Sequence, residues 1–459
     1  MAKQNKLGCF FSPKSVAVVG ASREPRKIGH VIFRNFLEGK YSGKLFPVNP
    51  NAKSLFGVRC YRNVRDIKQG IDLAVITIPA KTVPKALEDC GKKKVPAVII
   101  ISSGFKEIGN MELENRLKTI ARKYDIRILG TNCIGVYDPY SGVDTFFLPP
   151  YKLERPGKGD IAFISQSGAL GSVVLDWMSM KEYKISKFIS YGNATDIDES
   201  DLMEFLVRDS KTKAICAYFE GVNDGRKLVE IAKKHSKKKP IIAIKGGATS
   251  EGIAAVSSHT GSLAGEARIY SAAFEQSGII EAGTLEEVFD FARVLATQPV
   301  PKGDKVQIIT NGGGFGILTT DWIVKSGLSL ADMTAKSKGI IRKACPPYAS
   351  VKNPIDLTGD ATTERYAIAL KAVLDDPNVD MIALIILFQI PTLTADVVDV
   401  VAELARARKK PIVVIAAGGR YTEVLKKSLE RNRVPCFSYP EKAASALSAL
   451  YNYSKGDRP

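Results

Sequence analysis

Histidine is scarce in this chain, with three among 459 residues, at positions 30, 235 and 259. Tryptophan occurs only at 177 and 322. The seven cysteines (9, 60, 90, 133, 216, 345 and 436) are odd in number, scattered and nowhere spaced CxxC. That usage argues against a disulfide framework and a thiolate zinc site, and leaves reduced thiols, mostly in cores. Long apolar runs are missing too. None approaches the ~20 residues that a membrane span needs. The opening "MAKQNKLGCFFSPKS" has no apolar signal core, so the expectation is a cytoplasmic protein without membrane contact. No aromatics interleave the lysines of "KKHSKKKP" (233–240) or "GKKKVP" (91–96), and the net charge of +18 therefore does not read as a nucleic-acid footprint. Those runs stand at helix ends ahead of buried strands, where the helix dipole favours cations. The overall positive field suits a polyphosphate ligand.

What is present is a recurrent alternation. Short continuous apolar runs ("SVAVVG", "LAVITIPA", "PAVIIISSG", "GDIAFISQSG", "KAICAYFEG", "KPIIAIKGG", "DKVQIITNGGG", "DMIALIILF", "KPIVVIAAGG") are separated by helical stretches. Strands of that kind are buried on both faces, so the fold class is α/β with doubly wound parallel sheets. Several end in Gly, Ser or Asn, where open α/β sheets bind ligands. Pro- and Gly-rich punctuation at 137–160 and 298–305 divides the chain into three expected domains, 1–137, 158–298 and 303–459. The second and third read as copies, since "ISQSGALGSVVLDWM" (164–178) superposes on "ITNGGGFGILTTDWI" (309–323) at an offset of 145 that aligns both tryptophans. "KKPIIAIKGG" (238–247) likewise answers "KKPIVVIAAGG" (409–419). A duplicated flavodoxin-like domain behind a Rossmann-like one is the economical reading.

Three segments carry candidate chemistry. "SVAVVGASREPRKIGHVIFRNF" reads as a strand, a tight turn at Gly20 and a helix start, which aims amides at an anion beside Ser22, Arg23 and Lys27. It lacks the GxGxxG fingerprint, which weakens a nicotinamide reading. The next strand end, "FPVNPNAK", offers Lys53 and no carboxylate for a ribose hydroxyl pair, and so favours a phosphorylated ribose. "SQSGALG" places Ser165, Gln166, Ser167 and Gly168 at a second helix start, with the hydroxyls of Ser165 and Ser167 expected to face the crevice. The GxSxG nucleophile elbow is not met there. Glu220 ends the strand "KAICAYFEG", where it either caps the following turn or orients another group, and the second copy is expected to carry Gln389 at its place. His259 lies in "SSHTGSLAG" (257–265), in a segment expected to be a small-residue loop inserted after a strand, and the copy over 305–459 has no histidine. A neutral imidazole steered by a carboxylate is a good nucleophile toward phosphoryl groups. His30 and His235 are expected at the surface.

Taken together, "SVAVVGAS…P.KIG", "VNP", "ISQSGALG", "SYGNATDIDESDLMEFL", "YFEG", "SSHTGSLAG", "NGGGFGIL" and "KNPIDLTGDAT" resemble the NDP-forming acyl-CoA synthetases over essentially the whole chain. The resemblance is closest to the separate α subunits of ADP-forming acetyl-CoA enzymes, and more distant to the α subunit of succinyl-CoA synthetase. It implies a CoA-binding Rossmann-like domain followed by two flavodoxin-like ligase domains, and the reaction acyl-CoA + ADP + phosphate ⇌ acid + ATP + CoA through an acyl phosphate and a phosphohistidine. It implies His259 as phosphoryl carrier, Glu220 as its orienting partner, and Ser165, Gln166, Ser167 and Gly168 as the phosphate-binding helix start. The resemblance further implies contacts to CoA or acetyl-CoA at Gly20, Ser22, Lys27, Asn49, Lys53, Pro79, Ser103 and Asn132. Glutamate stands at the place of Ser103 in the succinate enzymes, so no side-chain role carries over there. No segment resembles the family's ATP-grasp domain. The resemblance therefore implies a separate β subunit holding ADP/ATP and Mg2+, in an α2β2 assembly, with no metal in this chain. The alternatives are a CoA-binding regulatory module related to protein acetyltransferases and an NAD-dependent oxidoreductase resting on the first domain alone.

Overall fold

The computed structural model describes residues 6–260 and 267–456, with the backbone alone for 257–260. They form two compact units, Met1–Glu281 and Ala282–Pro459. Among the described residues no helix is long and apolar enough to cross a membrane.

The first unit holds two large sheets. One is parallel, built from β1 (Ser15–Val19), β2 (Lys44–Val48), β5 (Leu73–Ile76), β6 (Ala97–Ile100) and β7 (Arg127–Gly130) in the order β2-β1-β5-β6-β7, with a small hairpin of β3 (Ser54–Leu55) and β4 (Val58–Arg59) beside it. Every residue of "SVAVV", "LAVI" and "AVII" is buried, as continuous apolar runs require of strands covered on both faces. The order reverses between β1 and β5, and the crevice that such a switch leaves at the strands' carboxyl ends is a ligand position.

The second sheet contains β8 (Gly135–Asp138), β9 (Val143–Asp144), β10 (Lys158–Ser165), β11 (Ile185–Ser190), β12 (Ala214–Phe219), β13 (Ile241–Lys245) and β14 (Ile280–Glu281), ordered β14-β13-β12-β10-β11-β8-β9. Residues expected to end the first domain thus form a hairpin, and β8 extends the second sheet antiparallel to β11 through Phe188↔Tyr137 and Ile189↔Val136. Only residues 131–134 separate β7 from β8. That short connection brings the ends of the two sheets together, and one apolar core, including Val16, Phe33, Ile164 and Ile189, runs through both.

The second unit has a parallel sheet of β15 (Lys305–Thr310), β16 (Ser329–Leu330), β17 (Ile355–Asp356), β18 (Met381–Ile385), β19 (Ile412–Ile415) and β20 (Cys436–Phe437), ordered β16-β15-β18-β19-β20 with β17 also on β15. The helix Leu285–Thr297 packs here against Pro440–Lys455, so the division falls inside the 158–298 expected for the second domain.

The copies agree to the level of single hydrogen bonds. The helices Gly168–Met180 and Gly313–Lys325 stand 145 residues apart at both ends. Ser165 Oγ donates to the Ser167 carbonyl at 2.6 Å, and Thr310 Oγ1 donates to that of Gly312 at 2.9 Å. Gln166 accepts from the amide of Glu220, and Asn311 accepts from that of Leu387. Strand register gives the same pairing, since Ile161↔Ala214 in the first copy answers Val306↔Met381 in the second. The counterpart of Glu220 is therefore Leu387 and not Gln389, because an alignment by apolar runs slips by two residues where strand lengths differ.

Candidate functional site

Two clefts open along the first unit and share Thr77, Ile78 and Pro79 at the end of β5. They form one crevice. Its first part, about 550 Å3, is lined by Gly20, Ser22, Lys27, Asn49 and Pro79. Gly20 sits at φ +97°, a region that L side chains avoid, and its N–H is bonded to the Val48 carbonyl at 3.0 Å. A Cβ on Gly29 would lie 2.1 Å from the Gly20 carbonyl oxygen, so the glycine spaced nine residues on lets the helix Ile28–Glu38 press against the turn. Asn49 Nδ2 donates to the Ala21 carbonyl at 2.7 Å, and Ser22 Oγ accepts from the Glu24 amide at 3.1 Å. Both side chains shape the turn. His30 is buried rather than at the surface, where its Nδ1–H donates to the Ser22 carbonyl at 2.9 Å and its ring packs 4.9 Å from that of Phe56.

Lys53 does not line this cleft. The chain turns at Asn49 and leads Lys53, exposed, into the β3–β4 hairpin, where its carbonyl accepts from Cys60 N at 3.0 Å. The cations that accompany Lys27 are Arg62 and Lys85. They come from separate elements, and no spacing in the sequence links them.

The second part, about 640 Å3, takes Ser103 and Lys106 from the first sheet, Asn132 from the short connection, and Gln166, Ser167, Gly168 and Glu220 from the second sheet. Ser167 is the N-cap of the helix Gly168–Met180, accepting from Leu170 N at 3.3 Å, and the first-turn amides of such a helix have no intrahelical partner. Ser165 does not face the crevice as expected, being fully buried with its hydroxyl held by the Ser167 carbonyl. Gln166 Oε1 accepts from the amides of Glu220 at 2.7 Å and Gly221 at 3.0 Å, tying the helix start to the end of β12.

Glu220 is 7% exposed, and the Tyr218 hydroxyl donates to its Oε1 at 3.4 Å. On the adjacent strand end, buried Lys245 lies over the Tyr270 ring at 4.8 Å. Burial pushes its ammonium down, and the Glu220 carboxylate pulls it back up. Strand register puts Leu387 and Ala416 in their places in the second unit, which carries no charge there. Comparing the copies could have revealed Lys245 from sequence.

His259 lies on a helix, Ser250–Thr260, and not in a loop. This helix follows β13 as Arg420–Arg431 follows β19, so the extra segment of the first copy begins after it and includes the helix Ala267–Ser277. Its alanines and other small residues lack an apolar stripe, yet alanine favours helix strongly, and the helix packs against the turn Lys106–Ile108 that edges the crevice. The His259 side chain and residues 261–265 of "SSHTGSLAG" lie outside the described residues. His235 is also buried, at 4% exposed, with its imidazole pushed down by burial and Lys234. Among the described residues no group of three or more His, Cys, Asp or Glu is placed to hold a metal ion.

The chain matches the CoA binding domain over residues 14–139, the succinyl-CoA ligase like flavodoxin domain over 158–295 and the ligase-CoA domain over 306–458. It is 43% identical to the acetate–CoA ligase [ADP-forming] II subunit alpha of Pyrococcus furiosus, covering 98% of each chain. To the acetate–CoA ligase [ADP-forming] of Methanocaldococcus jannaschii it is 42% identical over 96% of its own length and 62% of that longer protein. Among solved structures, the dinucleotide forming acetyl-coenzyme A synthetase 1 of Ca. Korarchaeum cryptofilum, in complex with phosphate and ADP, superposes with a TM-score of 0.92 at 38% identity, covering 98% of this chain and 97% of that one.

Proposed function

The chain belongs to the NDP-forming acyl-CoA synthetases, among the α subunits of ADP-forming acetate–CoA ligases, and from that premise we propose how its residues divide the work. The observation that carries the proposal is the single crevice from the Gly20 turn to the helix start at Gly168, with Glu220 at its far end. CoA lies along it. The phosphate-bearing nucleotide end meets Gly20, Ser22, Lys27 and Asn49, joined by Arg62 and Lys85. The thioester end meets Pro79, Ser103 and Asn132. The domain spans 1–137, 158–298 and 303–459 belong to the same proposal.

Phosphate, held at the amides of Gly168 and its neighbours, attacks the thioester carbonyl. A C–O bond forms, the C–S bond breaks, and the proton of HPO4²⁻ goes to the leaving thiolate, giving acyl phosphate and CoA. One ring nitrogen of neutral His259 then takes the phosphoryl group, breaking the P–O bond and releasing the carboxylate. The proton on the other nitrogen stays in place, and the imidazolium that results is stabilised by Glu220. Transfer to ADP regenerates neutral His259, so charge and protons balance over the cycle. Burial of Glu220 beside Lys245 supports its part, since a buried carboxylate must be paired.

ADP and Mg2+ belong to a separate β subunit with an ATP-grasp fold, in an α2β2 assembly. The naming of the Pyrococcus relative as a subunit alpha, and the 62% that this chain spans of the Methanocaldococcus protein, support a split enzyme. The regulatory-module reading is not favoured, since full-length relatives are ligases. The test is turnover of the chain with its partner. ATP formation from ADP should require both acetyl-CoA and phosphate, and fall at least about 1,000-fold in His259→Ala, as loss of a covalent nucleophile does. Phosphate-independent ATP formation, or activity undiminished in that variant, would exclude the scheme.

A further inference from the structure

Among the described residues lining the thioester end of the crevice, Lys106 is the one cation. It is half-buried on the turn Lys106–Ile108, and among the described residues its Nζ hydrogen-bonds the side-chain oxygen of exposed Asn223, at 3.4 Å. No carboxylate among the described residues stands within ion-pair distance. The adjacent Glu107 is already committed, accepting from Gly104 N at 2.5 Å, Phe105 N at 3.2 Å and Asn193 Nδ2 at 2.7 Å. Burial pushes the Lys106 ammonium below the usual lysine range; Glu114, whose carboxylate accepts from the Lys106 backbone N–H at 3.3 Å, and Glu199 oppose this, while Lys118 adds to it. A half-buried ammonium with one long hydrogen bond and no paired carboxylate among the described residues keeps its charge available to an anion in the cleft.

Two further observations give the anion its place. The same cleft is lined by the helix start at Gly168. The turn that carries Lys106 packs on the helix Ser250–Thr260, which carries His259. The remaining charged lining, Glu107 and Glu220, is acidic and would repel every phosphate species in the cycle.

We propose that Lys106 holds the phosphate that enters the crevice and the acyl phosphate formed from it, between the Gly168 helix start and the helix of His259. This rests on the reading of the crevice given above. Nothing is transferred to or from Lys106: the C–O bond forms and the C–S bond breaks beside it, and the ammonium keeps its proton. The side chain acts as a point charge, so charge matters more than shape.

The test uses the full chain with CoA bound and reads inorganic phosphate affinity by equilibrium dialysis. It also uses the reconstituted enzyme and reads the phosphate and acetyl-CoA KM values. Lys106→Met should weaken phosphate binding and raise the phosphate KM by about tenfold or more, the size of one charge-assisted contact. The acetyl-CoA KM should stay within about twofold, and Lys106→Arg should recover most of the loss. Unchanged phosphate affinity in Lys106→Met would overturn the proposal. So would a parallel rise of both KM values that Lys106→Arg fails to rescue, because that is the mark of a structural role. Should the wild type bind phosphate in a Lys106-dependent way yet show no turnover with its partner, the reaction scheme fails while Lys106 as anion holder stands.

Discussion

Glu199 opens the helix Glu199–Arg208 with 1% of its surface exposed, and its Oε2 has no hydrogen-bond partner among the described residues. Burial, reinforced by Asp198 and opposed by Lys227, pushes its carboxyl up to about 7 from 4.5. Between those values the folded state holds a proton that the unfolded chain has released, so this group's contribution to stability falls as pH rises from 4.5 to 7. The fall is up to roughly 3 kcal/mol. Glu199→Gln should therefore raise the melting temperature at pH 8 and leave it nearly unchanged at pH 4, and melting curves showing a gap that does not widen with pH would refute this. At Glu220 the expectation concerns rate. Glu220→Gln keeps shape and burial, loses the charge proposed to stabilise the imidazolium, and should lower kcat by about 100-fold with the acetyl-CoA KM little changed. His30 was expected at the surface, yet the turn before its helix folds back and offers it a carbonyl eight residues away. Lys106 went unread for another reason, since the cleft that it lines is assembled by strand order and nothing local to position 106 records it.

The helix Ile28–Glu38 is seated by contact of its second residue with the turn before it. Gly29→Ala would force a Cβ into the Gly20 carbonyl, so the helix must back away. We expect a loss of about 1–3 kcal/mol in denaturant titrations together with a raised CoA KM. An unchanged CoA KM in a folded Gly29→Ala protein would show that the turn does not bind the cofactor's phosphates. At the second helix start, Ser167→Ala removes the cap on Leu170 N and should cost about 1 kcal/mol. Elements such as these were legible in the sequence because continuous apolar runs and Gly-terminated strands have few other solutions. The helix Ser250–Thr260 was not, since its small residues lack the stripe by which helices are recognised and tertiary packing holds it. Strand β8 was hidden as well, since a stretch rich in Pro and Gly reads as a linker until a neighbouring strand pairs with it.

Over the whole molecule, duplication is the physical basis for separating scaffold from chemistry. Both copies keep the strand, the helix start and the side-chain bridge from Gln166 or Asn311 to the next strand. Only the first adds Glu220, Lys245 and a histidine helix, where the second has Leu387, Ala416 and no histidine. The two-copy pattern was visible in sequence through the paired tryptophans. The correct partner of Glu220 needed the strand register. The central claim is that phosphoryl transfer passes through His259, and the most direct measurement is the label retained when the enzyme, with its partner and acetyl-CoA, is given radiolabelled phosphate and quenched. The account predicts acid-labile, base-stable label on the chain, mapping to the peptide that contains His259, lost in His259→Ala and discharged by ADP. No label under turnover conditions, or undiminished label in His259→Ala, would contradict it.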